Sequence, residues 1–434
     1  MKLLTKPSVL CVSTLLALSS FCALAGTVTT NGPDLVVNTD NGGLELHTAD
    51  DAFAFKFSGK IQLDATRFDG LAAASENKPF ASTTDAFVRR GQLKFEGTAF
   101  SDWNYGLRLN FDGNEDGTDV DWVWLQYNGF DFANITVGKY RVYYGLEGAT
   151  SSSWITGMER PAMYDFLAGS DDTNFGIRAM HAGDNYSLSA QIATNGDKPD
   201  DGNNDIYGYT LRATYAPILE PDQILHLGVD YHDANPSDNE TKLQSRFGIR
   251  SDADDKMRFA DIDNTTSDNE YVLEAGYQLK GLRLQSEYFK RKTHGYNDED
   301  YASSDIDGYY GQISYLFGAS RKYDVAKGRW KKPTNFNSYE VFARYESIDI
   351  NANEAATKKN IDNNVDGVEA AVRGAKHTTN EFTVGVNYFV NESIRTSLNY
   401  ITYRVSNIDT SADIDGYAVK NDSKAVVARL QYVF

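Results

Sequence analysis

The sequence predicts an all-β chain that closes into a transmembrane antiparallel β-barrel of about sixteen strands with inward-folded loops. Three observations carry this. Period-two alternation of apolar and polar residues recurs along the chain, in stretches near the ~10 residues a tilted barrel strand needs. The connections alternate between tight and long, as periplasmic turns and outer loops do. The composition joins polarity to aromatics: 41% of residues are hydrophobic, with 27 Tyr and 23 Phe. That mixture suits a wet interior bounded by aromatic girdles.

Taken in order, residues 1–25 read as a secretory signal peptide. Lys2 and Lys6 precede an apolar run from Val9 to Leu24, and Ala23-Leu24-Ala25 forms a small-x-small cleavage site before Gly26. Ser13, Ser19 and Ser20 interrupt the run, and no stop-transfer flank follows, which disfavours a membrane anchor. Both cysteines, Cys11 and Cys22, fall inside it, so the exported chain offers no disulfide and no Cys-ligated metal. No later stretch is long and apolar enough for a transmembrane helix. The net charge of −19 becomes −21 once Lys2 and Lys6 are removed. That excludes a nucleic-acid partner, which demands a basic surface.

Residues 26–51, rich in Gly, Asn and Asp, read as a periplasmic lead-in of low order, and residues 52–434 as the barrel. In the first strand Phe53, Phe55, Phe57, Ile61 and Leu63 share one face, and Lys56, Ser58, Lys60, Gln62 and Asp64 the other. Over 87–99, Leu93 and Phe95 point outward and Arg90, Lys94 and Glu96 inward. Over 103–112, Trp103, Tyr105, Leu107, Leu109 and Phe111 point outward and Arg108 inward. Charge on a lipid face costs ~2–4 kcal/mol at the midplane, so these charged residues face the lumen. Further strands are expected near 121–129, 135–140, 173–182, 186–195, 207–216, 224–233, 270–279, 282–292, 306–317, 339–347, 380–389, 393–404 and 424–434. An even count leaves both termini in the periplasm. The last strand, with Val426, Ala428, Leu430 and Tyr432 on one face, ends at Phe434.

Tight turns are expected at 100–102, 183–185, 280–281 and 390–392, and long loops at 67–86, 141–172, 234–269, 292–305, 348–379 and 405–423. Three connections stand apart. Gly138 to Pro161, GKYRVYYGLEGATSSSWITGMERP, is far too long for a turn and holds Arg141, Arg160, Glu147, Glu159, a run of small hydroxylated residues and four aromatics. It reads as a loop folded into the lumen that sets the pore width. Residues 318–338 should form a short periplasmic turn. Instead they carry Arg321, Lys322, Lys327, Arg329, Lys331 and Lys332 against Asp324 alone. This turn is expected to tuck into the pore and lend its charges to anions. Within 234–269, LQSRFGIRSDADDKMR spaces Arg246, Arg250 and Arg258 by four and eight. Parity argues against a seventeenth strand, leaving a long loop folded inward.

Together these residues resemble the phosphate-selective porin O and P family of Gram-negative outer membranes, over nearly the whole exported chain. The resemblance rests on the lead-in GTVTTNGPDLVVNTDNGGLEL, on FKFSGKIQLDA, and on Arg89-Arg90 ahead of DWNYGLRLNFD. It rests most specifically on GKYRVYYGLE with TS and ITGMERP, and on the basic turn ending in KKP. It implies a homotrimeric sixteen-stranded anion channel in the cell outer membrane, without cofactors. The implied anion path is an arginine ladder leading to a lysine-lined constriction, built by two inward loops and one inward periplasmic turn. By position, Arg89 and Arg90 match the family's paired arginines. Arg246, Arg250 and Arg258 lie in the ladder segment. Arg141 falls where a lysine is usual, and Lys331 and Lys332 match the basic end of the turn. The chain departs from the pattern at Tyr143, where the family often has Pro, and at Gly248 and Ser251, where it commonly has Arg and Pro.

Rings or tracks of Arg and Lys select anions, and the Arg fork suits tetrahedral phosphate oxygens. The expectation is therefore passive diffusion of small anions, phosphate or polyphosphate first. Two rivals stand beside it. One is a general or weakly cation-preferring porin, favoured by the acidic charge and by inward acids such as Asp64, Glu96 and Asp112. The other is a plugged barrel acting as adhesin or receptor. His226, Asp230 and His232 share one strand face with metal-ligand chemistry, but a solvated lumen face is the simpler reading and no metal site is assigned. No G-x-S-x-G or H-E-x-x-H motif asks for an enzyme. The acidic stretches 196–205 and 297–301 read as solvated outer loops, with divalent cations bridging lipopolysaccharide as the alternative.

Overall fold

A computed structural model describes residues 34–39, 43–73, 80–111, 118–170, 174–194, 207–235, 239–251, 256–357, 376–411, 413–414 and 416–434. The signal peptide, the acidic stretch 196–205 and Asp112 lie outside them.

The wall is a closed antiparallel ring of sixteen strands: Ala54–Phe68, Thr83–Ala99, Trp103–Asn110, Asp119–Tyr127, Asn134–Tyr140, Asn174–Ala182, Tyr186–Thr194, Tyr207–Glu220, Gln223–Asn235, Met257–Leu279, Leu282–Asn297, Asp300–Leu316, Ser338–Ala352, Lys376–Phe389, Ile394–Val405 and Asp422–Val433. Each pairs with the next, and the last pairs with the first from Ala425↔Phe68 to Val433↔Lys60. Closure leaves no unpaired edge in the membrane, where unsatisfied backbone groups are costly. The pleat sorts the side chains: on the last strand Val426, Leu430 and Tyr432 are exposed on the outside, while Arg429 and Gln431 are buried inside. At one rim aromatic pairs cluster, among them Trp103–Tyr127, Tyr315–Phe317 and Tyr339–Tyr388, as an interfacial girdle does. Phe434 joins it. Its backbone exchanges hydrogen bonds with Gly59 (2.8 and 3.1 Å), and its ring lies 5.6 Å from both Phe57 and Tyr432.

The structure departs from expectation in four places. The described part of the lead-in forms strands: Leu35–Asn38 pairs with Leu44–Thr48, which pairs with the first wall strand. Residues 292–305 are no long loop. Their strands extend to a turn at Asp298-Glu299, with Asn297 paired to Asp300. Here the outward side chains are polar, as at Lys292, His294, Ser303 and Asp305, while the inward Thr293, Ala302 and Ser304 are buried, so the apolar-out, polar-in alternation that marks a membrane strand is lost. Met257–Leu279 likewise runs far above its expected start, and Asn239–Ser245 pairs with that extension outside the closed ring. Finally, the lumen is polar only over part of its depth. Along Ser338–Ala352 the inward side chains change from Glu340, Arg344 and Glu346 to Ile348 and Ile350. These belong to an apolar core that also contains Met163, Phe166, Phe247, Phe259 and Tyr403. Segment 246–251 thus folds inward, driven by Phe247. Its ring stands 4.6 Å from Tyr403, and full burial of such a side chain stabilises by ~1.5–3 kcal/mol.

Candidate anion constriction

The connection between Asn134–Tyr140 and Asn174–Ala182 lies inside the barrel. The wall grips its backbone with charge of both signs. Carboxylates take the loop's N–H groups: Glu287 accepts from Leu146 (2.7 Å) and Glu147 (3.2 Å) at the start of the short helix Leu146–Ala149. Asp230 accepts from Gly145 (3.0 Å), and Glu270 from Ala168 and Gly169 (3.0 and 2.6 Å). Wall arginines take its carbonyls: Arg395 donates to Ser153, Ile155 and Thr156, Arg344 to Glu159, and Arg429 to Met158. Hydrogen bonds to charged groups contribute about 1.5–3 kcal/mol each, so the loop is held firmly. Gly145 is required at its bend, where φ is +70 and a Cβ would stand 2.1 Å from the Tyr164 hydroxyl.

Between this loop and the wall lies a polar cavity of about 130 Å³ lined by Arg89, Arg90, Arg141, Arg160, Arg250, Glu159 and Asp165. Two adjacent strand residues normally face opposite ways, yet Arg89 and Arg90 both reach Glu159. A β-bulge explains this: Gln62 pairs with Arg90 and Leu63 with Val88, leaving Arg89 as the extra residue. Glu159 accepts from Arg89 (2.9 and 3.0 Å), Arg90 (3.5 Å) and Arg429 (2.6 Å), with Arg250 at 3.9 Å. Burial alone would raise its pKa, but Arg89, Arg90, Arg429 and Arg250 outweigh this and hold it well below the usual carboxylate value. Asp165 accepts from the Arg250 guanidinium (3.1 Å), the Ser245 hydroxyl (2.8 Å) and the Arg246 amide (3.1 Å). Burial and the adjacent Arg250 lower the Arg246 guanidinium to about 10, against Asp165. Arg160 donates to the carbonyls of Glu147, Gly148 and Thr150 and, among the described residues, has no carboxylate within ion-pair distance. Among the described residues, six guanidiniums, counting Arg429, therefore meet three carboxylates: Glu159, Asp165 and the Asp64 that pairs with Arg429 at 2.7 Å.

Of the eight residues expected from sequence, Arg89, Arg90, Arg141 and Arg250 line this cavity and Arg246 adjoins it. Three do not join it. Arg258 pairs with Asp261 (3.1 Å) on the strand extension. Lys331 is exposed on its hairpin, and Lys332 pairs with Glu392 (3.6 Å). The 318–338 turn does insert, as the hairpin Arg321–Asp324 with Arg329–Pro333. It is seated by buried Trp330 against Leu146 and Ile224, and the basic residues it carries inward are Arg321, which pairs with Glu340 at 2.6 Å, and Lys327 and Arg329. The pleat of a two-stranded hairpin turns Lys331 away from Trp330, a register the sequence alone leaves open. Arg160 and Arg429 were not among the expected site residues. Arg429 was legible from its polar parity on the last strand. The inward acids named as opponents are paired: Asp64 with Arg429, and Glu96 with Lys94 at 2.7 Å. His226 bridges Glu274 (2.9 Å) and Tyr323 (2.5 Å), His232 bonds Thr210 (2.9 Å), and Asp230 lies 3.2 Å from Arg212. These three residues tie wall, loop and turn together.

A family model described as Phosphate-selective porin O and P matches residues 55–434. Porin O of Pseudomonas aeruginosa is 32% identical over 457 residues, covering 98% of each chain. Among solved structures, an anion-selective porin from Comamonas acidovorans aligns with a TM-score of 0.55 at 12% identity, covering 88% of this chain and 100% of that one. The trimer form of OmpT from Vibrio cholerae aligns with a TM-score of 0.51 at 13% identity, covering 88% and 100%. These structural likenesses concern the fold.

Proposed function

The chain belongs to the phosphate-selective porin O and P family of outer-membrane porins, and from that premise we propose that it passes small anions by passive diffusion, phosphate first among them, through the arginine-lined cavity beside the inward loop. The observation that carries this is the convergence of guanidiniums on Glu159, which outnumber the carboxylates there among the described residues. Protein walls of low dielectric strengthen that field, while the protein's remaining acids beyond a Debye length, ~8 Å at physiological salt, are largely screened. Many wall acids are already engaged in holding the loop, so the overall acidity does not set the field met by a permeating ion. Several shared arginine contacts bind phosphate weakly enough for it to leave. We place the working unit as a homotrimer in lipid and lipopolysaccharide, following the trimer form of the structural relative.

A planar bilayer tests this. A KCl gradient should give a reversal potential of the anion-selective sign, and millimolar phosphate should reduce chloride current. A potassium-selective wild type overturns the reading in favour of a general porin. A barrel without single-channel conductance supports a plugged receptor or adhesin. Chloride selectivity without phosphate block or permeation leaves an anion porin lacking phosphate recognition.

A further inference from the structure

A second group of cations lies apart from the Glu159 cavity, where the inserted turn meets the inward loop. The ring of Tyr143, from the loop, has the guanidinium carbon of Arg178 4.8 Å from its centroid, the Lys327 ammonium at 5.5 Å and the guanidinium carbon of Arg329 at 5.6 Å. Arg178 belongs to the wall strand Asn174–Ala182. Its other side stacks on Tyr140 at 4.6 Å, and it donates to the Arg141 carbonyl (3.1 Å). Arg329 donates to the Ala149 carbonyl and pairs with Asp324, both at 3.2 Å. From the wall strand Tyr207–Glu220, Arg212 fixes the turn by donating to the carbonyls of Lys327 (2.8 Å) and Gly328 (2.9 Å). The charge of Arg212 is already met by Glu274 and Asp230. Among the described residues, the charged groups around the phenol are therefore three cations and, through Arg329, one carboxylate.

We infer that Tyr143 is a specificity-determining residue, an ionisable internal ligand of the Arg178–Lys327–Arg329 cluster that competes with permeating anions for these cations. The three cations come from two elements, the wall strand and the inserted turn, and converge on the ring of a third, the inward loop. Burial opposes its ionisation, but Lys327, Arg329 and Arg178 outweigh that and lower the phenol to about 7. Below that value the phenol is neutral and leaves the cluster cationic. Above it the proton passes to water, and the phenolate cancels one positive charge where the turn and loop meet. Tyr143 thus gives this chain a pH-dependent attraction for anions.

The functional arm of the test rests on the anion-channel reading, whereas the spectroscopic arm does not. Ultraviolet difference titration of the detergent-solubilised protein should show one tyrosinate per chain appearing near neutral pH in the wild type and none in Tyr143→Phe, because ordinary phenols ionise near 10. In Lys327→Met the midpoint should move to higher pH. In bilayers with KCl, whose ions do not titrate, wild-type chloride conductance should fall about twofold from pH 6 to pH 9, and Tyr143→Phe should be flat. A wild type with no neutral-range tyrosinate, or a Tyr143→Phe channel with undiminished pH dependence, overturns the inference. A tyrosinate that titrates in a potassium-selective channel preserves the ionisation but removes its role in anion attraction, and overturns the anion reading instead.

Discussion

Arg250 offers the sharpest test of whether the guanidinium group around Glu159 governs selectivity. Its side chain reaches Asp165 at 3.1 Å and Glu159 at 3.9 Å and lines the cavity. Two unit charges ~6 Å apart at an effective dielectric constant of ~20 interact by about 3 kcal/mol. Water and counterions in an open path screen most of this, leaving roughly 0.7–1 kcal/mol per unit charge, a factor of about three to five in relative permeability. Arg250→Gln removes one charge and should lower the anion-over-cation permeability ratio about three- to fivefold. Arg250→Glu reverses the charge and should lower it about ten- to twentyfold. Asp165 keeps the Ser245 hydroxyl and the Arg246 amide, so the loop retains its seat. Lys331→Glu, on an exposed side chain away from the cavity, is the control and should change the ratio less than twofold. Reversal potentials in a salt gradient read all three. If Lys331→Glu shifts the ratio as far as Arg250→Glu, or Arg250→Glu leaves it unchanged, the cavity is not where selection occurs.

Gly145→Ala should unseat the inward loop. Strain at positive φ costs roughly 1–2 kcal/mol, and the new methyl group meets the Tyr164 hydroxyl, so channels should become larger and noisier while the barrel still forms. Deleting residues 151–154 removes the loop carbonyl and hydroxyl that Arg395, Gln431 and Lys60 hold and should raise single-channel conductance; an unchanged conductance would separate this segment from the pore. Deleting Phe434, or replacing it by Asp, should impair outer-membrane assembly, scored as loss of the heat-modifiable oligomer. Glu159 has a depressed pKa when folded, so the stability it contributes is present above its ordinary value near 4.3 and is lost as pH falls through the lower folded value. Loop order, followed by Trp fluorescence, should therefore hold from pH 8 to about 5 and fail only well below 4; failure near pH 6 would refute the ion-pair account.

The wall strands were legible because lipid outside and water inside impose period-two alternation on every one. That signal fails wherever the two sides stop differing. At 292–305 the outward residues are polar and the inward Ala302 is buried in the core, and at 257–262 the inward Phe259 and Ile262 are apolar, so strands continue where loops were expected. The candidate site was half legible. Spacing drew attention to Arg246 and Arg250, the over-long connection to Arg141, and strand parity placed Arg90 inside. Parity alone gives Arg89 the wrong face, since a bulge has no period. The turn's basic residues were visible as a group, but which of them points inward depends on a hairpin register fixed by Trp330.

The bulge at Arg89 has a bearing on how such a channel can change. Substitution alters one side chain at a time, and an inserted or deleted residue in a membrane strand ordinarily turns every later side chain to the opposite medium. Here the ladder already tolerates an unpaired residue, with Val88 still facing outward and Arg90 still facing the lumen. Removing Arg89 would restore regular pairing and leave every other residue on its present side. The number of charges lining the cavity is thus open to change by length variation in a strand, a route that strands without a bulge do not have.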